Sequence, residues 1–387
     1  MQSPLTKFTL IASILLSISV RCGSESLNDH AFAQEINRAR LIIAARAGGD
    51  YLVRMQRPDG SFHYYYDAEQ ERFEPRRYNI VRHAGAALSL FDLYAATRDS
   101  RYLESGRRAV RFLTTRFRRA RGTQGSYVLD YDGKAKLGAN GLALVALARQ
   151  IELDPKRADR ESATKLANLI LAMQRKDGSF EMRHRLQANE QILSESLYYP
   201  GEAMLGLIRL YQLNQDARLL DAARRGADYL IGRQQRMNEL PADAWLMQAL
   251  EALYDIGHEK QYAEHAITLA EAMIADQYTD DDPEGYAGGF GPGSPRATPA
   301  ASRAEGLVAA YRIARLSGDD RATKIRSALK ASARFQLAQQ LTADTAGVRN
   351  PRLAAGGFRE SLTSMKIRIY YVQHNISSML GIAQSLY

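Results

Sequence analysis

Apolar positions along the chain follow two alternating patterns, each about one helix long. In the first, near residues 32–56, 101–118, 159–175, 217–235, 259–277 and 320–341, one stripe is apolar and the rest polar. Within 101–118, Leu103, Gly106, Val110, Leu113 and Phe117 share a face while Arg101, Arg107, Arg108, Arg111 and Arg118 fill the others. This predicts helices with one side in water. In the second pattern, near 78–97, 138–153, 198–213, 241–256, 302–316 and 371–386, there is no polar face; Leu142 to Ala148 is apolar without a break. Such helices are expected to be buried on both sides. Six outer and six inner helices in alternation predict an all-α double ring, an (α/α)6 toroid, filling residues 32–387 as one domain.

The connections fit that ring. Turns from inner to outer helices are short and begin on capping residues, as in Asp99-Ser100-Arg101, Asp216-Ala217-Arg218 and Gly318-Asp319-Asp320. Connections from outer to inner helices are long, around 57–77, 119–137, 176–197, 278–301 and 342–370, and long connections in a compact domain are commonly functional. The exception, Arg236 to Leu240, predicts a side opening. Alternating helix direction gathers the long loops and the inner-helix amino termini on one rim. A repeat punctuates the outer-helix ends: Gln56 to Phe62 and Gln174 to Phe180 are nearly the same heptad, with fainter copies at Gln277 with Gly288-Gly289-Phe290 and Gln340 with Gly356-Gly357-Phe358. Its glycine is expected to turn the chain and its phenylalanine to plug the gap between hairpins, an architectural role.

The rim collects the candidate chemistry. Tyr78, Asn79, Arg82 and His83 open the first inner helix, Asn140 the second, and Tyr198, Tyr199 and Glu202 the third. Asp243 and Trp245 open the fourth, Arg303 and Glu305 the fifth, and Gln373, His374 and Asn375 the sixth. Such a crown suits a polyhydroxylated ligand: aromatic faces for sugar rings, amides for hydroxyls, Arg for an acidic substituent, and carboxylates, Tyr or His for proton transfer. The expected catalytic set is Tyr199, Glu202, His83, Asp243, Glu305 and His374. Expected substrate contacts are Tyr78, Asn79, Arg82, Asn140, Tyr198, Trp245, Arg303, Gln373 and Asn375. Each has a structural alternative: carboxylates in first helical turns complement the dipole, and histidines on apolar helices are often satisfied core residues. Tyr64-Tyr65-Tyr66 reads equally as a substrate platform or as loop packing.

The layout resembles the six-hairpin (α/α)6 toroids, which include glycoside hydrolases, polysaccharide lyases, N-acylglucosamine epimerases and the carboxy-terminal domain of glucuronyl 5-epimerases. The segment Arg368-Ile369-Tyr370-Tyr371-Val372-Gln373-His374-Asn375-Ile376 resembles the late Arg-x-Asp-Tyr segment of those epimerases, with Tyr370 where they carry Asp. The resemblance implies an enzyme acting on a glycan. As a hydrolase it would use two of Glu202, Asp243 and Glu305 as acid and base. As a lyase or epimerase, a Tyr or His would remove the proton on carbon 5 while Arg82 or Arg303 neutralises the adjacent carboxylate.

Charge sharpens the substrate. The formal net charge of +9, carried mostly by Arg, favours an acidic ligand. The amino terminus reads as an export signal, with Lys7 before an apolar run from Phe8 to Val20, too short to span a bilayer comfortably. Residues 1–31 are therefore expected to lie outside the fold. Cys22, the single cysteine, stands where a lipoprotein carries its lipid, and Ala31-Phe32-Ala33 offers an ordinary cleavage site instead. A periplasmic or membrane-anchored protein follows from either. No zinc spacing, phosphate loop or dinucleotide fingerprint appears, so no metal or cofactor is expected. Nucleic acid is not an expected partner, since charge alone would support it and the export signal opposes it. Asp280-Asp281-Asp282-Pro283-Glu284 reads as a solvated turn rather than the diphosphate motif of a terpene cyclase or prenyltransferase barrel. The leading expectation is an exported enzyme on an acidic or uronate-containing glycan, working by epimerisation, elimination or hydrolysis. The alternative is a non-catalytic, membrane-tethered toroid that binds a polysaccharide or a partner protein.

Overall fold

The computed structural model describes residues 35–74, 78–154, 160–186 and 196–387. The segment with Lys7, the apolar run, Cys22 and the alternative cleavage site lies outside the described residues. Ile36–Tyr387 form one compact unit.

Among the described residues, twelve helices of 13 to 21 residues alternate around an axis. The outer ones are α1 (Arg38–Met55), α3 (Ser100–Thr114), α5 (Arg160–Ala172), α7 (Ala217–Gln234), α9 (Lys260–Ala275) and α11 (Ala322–Ala338). The inner ones are α2 (Ile80–Thr97), α4 (Leu137–Leu153), α6 (Tyr199–Asn214), α8 (Ala244–Gly257), α10 (Ala297–Ser317) and α12 (Ile369–Leu386); Pro351–Ala354 forms one further turn. Each inner helix packs on the next and α12 returns to α2, so the inner ring closes. In α4, the residues from Leu137 to Ala148 are all buried, as expected of a helix with neighbours on every side.

Three short antiparallel sheets lace the long connections together. Strand β1 (Tyr65–Asp67) pairs with β2 (Arg72–Phe73) and with β7 (Lys366–Arg368), joining the first long loop to the last. Strand β3 (Phe117–Arg119) pairs with β4 (Ser126–Val128), and β5 (Ala135–Lys136) with β6 (Arg183–His184). Two predicted boundaries move. The second outer helix ends at Thr114 rather than 118, because the Thr114 and Thr115 hydroxyls bond back to the Arg111 and Phe112 carbonyls and Phe117 enters a ribbon. The fifth inner helix begins at Ala297 rather than 302, with Pro299 in its first turn, where a missing N–H costs little.

The Gln repeats are staples. Gln56 Nε2 donates to the Gly60 carbonyl and, at 2.9 Å, to Ser105 of the next outer helix. Gln174 does the same to Gly178 and Ala222, Gln277 to Gly288 and Ala328, and Gln340 to Gly356 and Ala44. At Gly60, φ is +91° and a Cβ would lie 2.2 Å from the Arg108 carbonyl oxygen, so only glycine permits the turn to seat. The paired residues Phe62, Phe180, Phe290 and Phe358 are buried beneath these turns.

Candidate functional site

The starts of α4, α6 and α8 are drawn together by missing side chains. A Cβ on Gly138 would fall 2.1 Å from Glu202 Oε2, and one on Gly201 would meet the Leu246 backbone nitrogen at 2.5 Å. Pro200, second in α6, and Glu202 both stand in its first turn; Asp243 caps α8 by accepting from Leu246 N–H at 3.0 Å. Both carboxylates end up buried, Glu202 1% and Asp243 0% exposed. Glu202 Oε2 and Asp243 Oδ2 have no hydrogen-bond partner among the described residues. Burial pushes Glu202 up to about 8, against the pull of Arg82 and with a further push from Asp243. Burial likewise raises Asp243 to about 7, opposed by the Leu246 and Trp245 N–H groups. Two poorly solvated carboxyls, one of which raises the other, resist ionising together, an arrangement in which one could hold a proton while the other is a carboxylate.

Around them stands a partly exposed layer. Arg82 lies over the Tyr370 ring, 5.0 Å from its centroid, and is electrostatically linked to Tyr64, Tyr199 and Glu202. It has no carboxylate ion pair among the described residues. The Tyr199 phenol is raised, chiefly by burial, and stays a hydrogen-bond donor at neutral pH. Lys136 is held by Asp130 at 2.7 Å, and Asp130 also accepts from Ile80 N–H, tying the second long loop to the start of α2.

Three predicted rim residues face the other way. Trp245, Glu305 and Gln373 line a cavity of about 470 Å3 that continues along the axis between the carboxy-terminal halves of the inner helices. Glu305 Oε2 is 2.8 Å from His374 Nδ1; burial raises the Glu305 carboxyl while His374 and Ser377 hold it down. Further along, Arg149 pairs with Asp92 at 2.9 Å and with Glu152 at 2.7 Å, and Arg312 with Glu251 at 3.1 Å. The side opening expected at 236–240 corresponds to a small, mostly apolar cavity of about 190 Å3 beside Met237, Pro241 and Tyr229.

Other expected site residues make structural contacts, though Asn375 Oδ1 and Arg303 Nε have no hydrogen-bond partner among the described residues. His83 is fully buried between α2 and α3, with Nδ1 on the Tyr78 hydroxyl at 2.7 Å and Nε2 on the Ala109 carbonyl at 2.8 Å. Burial lowers it to about 4, so it is a neutral, doubly bonded core histidine with no nitrogen free for proton transfer. The Tyr78 hydroxyl also accepts from Phe62 N–H. Asn79 caps α2, and Asn140 ties β4 to α4 through Val128 N–H and the Lys136 carbonyl. Asn375 Nδ2 donates to the Tyr371 carbonyl, one turn back in its own helix. Arg303 lies over Phe290, near Asp276 and the exposed Tyr198. Of Tyr64-Tyr65-Tyr66, only Tyr64 reaches the rim layer; Tyr65 and Tyr66 are buried in β1. Asp282 closes an exposed turn by accepting from Thr279 N–H. Among the described residues no group of three or more His, Cys, Asp or Glu side chains is arranged to hold a metal ion. Lys136 and Asp130 are not among the expected rim residues, and Tyr370 enters only through the epimerase-like segment; sheet pairing between remote loops brings them to the rim.

Residues 135–345, just over half of the 387, match the family described as the β-L-arabinofuranosidase, GH127 catalytic domain. The chain belongs to that family. The matched span runs from β5 through α11 and includes Glu202, Asp243, Trp245 and Glu305, while Arg82, Tyr370 and His374 lie outside it. Among solved structures, the GH76A α-1,6-mannanase of Salegentibacter sp. HEL1_6 superposes with a TM-score of 0.61 at 13% identity, over 89% of this chain and 99% of that one. Cellobiose 2-epimerase from Bacillus thermoamylovorans B4167 gives 0.66 at 14% identity, over 89% and 99%. An unsaturated glucuronyl hydrolase specific for heparin gives 0.63 at 12%, over 90% and 98%. No curated protein matches the sequence. The fold is an (α/α)6 toroid of the glycosidase-like kind, and the family makes the protein a carbohydrate-active enzyme.

Proposed function

We propose that this GH127-family protein hydrolyses a glycosidic bond in an acidic glycan, at the rim. The observation that carries this is a pair of buried carboxylates, Glu202 and Asp243, each with an oxygen that no described group satisfies, with Arg82 acting on Glu202 yet forming no direct ion pair among the described residues. Glu202, in the first turn of α6 beside Arg82, gives its proton to the leaving oxygen as the bond from the anomeric carbon breaks. Asp243 as carboxylate takes a proton from the water that adds to that carbon, or adds to it directly before water does; the anomer released distinguishes the two. Arg82 receives a carboxylate or sulfate on the substrate, and Tyr199 donates to a sugar hydroxyl. The family description favours a second reading, a neutral β-L-arabinofuranoside as substrate.

A panel of uronate-containing oligosaccharides and aryl β-L-arabinofuranosides separates them. Turnover of the acidic members, with KM raised on the order of tenfold or more by Arg82→Gln, supports the proposal. Equal turnover of neutral arabinofuranosides by wild type and Arg82→Gln overturns the acidic specificity, and full activity of Glu202→Gln overturns the site. We also propose export, on Lys7, the apolar run and Cys22. Cell fractionation tests it: a full-length cytoplasmic product rejects export, and membrane association unchanged by Cys22→Ser rejects the lipid.

A further inference from the structure

We infer that the substrate is a polyanionic chain, held beyond the catalytic pair by a track of four tyrosines, Tyr370, Tyr64, Tyr78 and Tyr131, flanked by Arg82 and Arg116. This deepens the proposed function and rests on it. The four rings come from two different connections and the start of α12, yet they follow one another with centroid steps of 6.2, 5.6 and 5.1 Å. All are at least partly exposed, Tyr131 by 50%. One end of the track lies under Arg82, hence beside Glu202. The other lies under Arg116, whose guanidinium is 4.6 Å from the Tyr131 centroid. Arg368 adds a third cation, donating to the Tyr370 hydroxyl at 3.1 Å.

Among the described residues Arg82 and Arg116 form no ion pair, as is also true of Arg98 and Arg118, but only Arg82 and Arg116 sit at the ends of a run of tyrosine rings. Arg107, Arg149, Arg312 and Arg321 each pair with carboxylates elsewhere in the fold. Along the track, Arg116 donates only to the Leu129 and Asp130 carbonyls, and Arg82 stacks without an ion pair among the described residues. Tyrosine faces receive the C–H face of sugar rings, and guanidinium groups left without counter-charge receive carboxylate or sulfate two-point fashion. A single terminal sugar would engage Arg82 and leave Tyr131 and Arg116 idle. A chain of several acidic residues uses both ends.

The test is calorimetric binding to the full chain carrying Glu202→Gln, with heparin and oligogalacturonate fragments of two and eight residues, and a neutral manno-octaose. The eight-residue anions are expected to bind at least tenfold tighter than the two-residue ones, and more weakly as salt rises. Tyr131→Ala, added to that variant, should abolish most of the length gain while leaving the two-residue affinity unchanged. Because Arg116 also supports the loop carbonyls, Arg116→Gln serves as the second variant, with circular dichroism to confirm folding. No length dependence, no binding of either acidic octasaccharide, equal binding of manno-octaose, or a length gain untouched by both variants overturns the track. Loss of turnover in Tyr131→Ala on two-residue substrates would also overturn it. Full turnover by Glu202→Gln alone strikes the catalytic assignment and leaves the track's binding result standing.

Discussion

The two ends of the toroid axis are built from the same six inner helices and could hardly be more different. At the carboxy-terminal end, turns are short, the cavity of about 470 Å3 opens, and Arg149 and Arg312 in its lining pair with Asp92, Glu152 and Glu251 while Arg209 bonds Gln212. At the amino-terminal end, long loops crowd in, and among the described residues Glu202 and Asp243 each keep an oxygen without a hydrogen bond while Arg82 stacks on Tyr370 with no direct ion pair. Helix dipoles add to the contrast, positive at the rim and negative at the opposite mouth, where arginines already answer them. The difference teaches that cavity volume alone is a poor guide to chemistry. Charges that the protein has itself neutralised contribute to the fold, and charges left open are available to a ligand.

The sharpest way to break this comparison is to exchange the consequences of mutation at the two ends. Glu202→Gln should cut turnover by roughly 100-fold or more. The same change should raise stability at alkaline pH. The raised pKa of Glu202 favours folding most below its ordinary 4.5, and that contribution disappears as pH climbs through about 8. Chemical denaturation at pH 5 and pH 9 checks both sign and window; a Gln variant less stable than wild type at pH 9 would contradict the burial account. For the wild type, a pair at about 7 and about 8 gives a narrow rate optimum between those values, broadened or shifted by Asp243→Asn if that variant retains measurable turnover.

Smaller effects separate support from chemistry. Tyr78→Phe strips a bond from His83 and one from Phe62 N–H, and is expected to cost about 1–3 kcal/mol of stability with turnover of short substrates retained. A large loss of turnover without a loss of melting temperature would return His83 to the catalytic set. At the other end, Arg312→Ala should cost about 1–2 kcal/mol, modest because water still reaches the Arg312–Glu251 pair, and should leave kcat and KM unchanged. The smallest effect lies in the short turns, where Arg98 sits at φ +59° in the place that Gly318 fills elsewhere. Arg98→Gly should be neutral to stabilising by up to about 1 kcal/mol in thermal unfolding, again with no kinetic signature.

Periodicity made the double ring legible, because a helix apolar all round has few places to go other than inside a ring of others. The boundary errors at Thr114 and Ala297 came from hydroxyl back-bonding and a first-turn proline, which a hydrophobic stripe does not register. The candidate site was half legible. Helix direction put Glu202, Asp243 and Arg82 at one rim, where they lie in the structure, but His83 turned sideways into the ring, and Trp245, Glu305 and Gln373 turned toward the axial cavity. Rotation about a helix axis decides that, and it depends on neighbours such as Gly138 and Gly201 that let one helix approach another. Lys136 stayed hidden, and the place of Tyr370 beside Tyr64 unforeseen, for a related cause: their places depend on pairings between loops far apart in sequence.

The fourth staple carries a consequence for how the molecule is made. Gln340 reaches Ala44 across 296 positions of sequence, and with it the turn at Gly356 seats against the Ala47 carbonyl of the first helix. A chain emerging from a ribosome can form α1 early, yet the partners of that flank are synthesised near the end. Until then the nascent arc has two unsealed flanks, apolar on α1 and on whichever hairpin came last, and each is a ready surface for another arc. Closure is therefore a late event of high contact order, slow relative to the local helix pairs, and concentration during synthesis sets whether an arc meets its own end or a neighbour's.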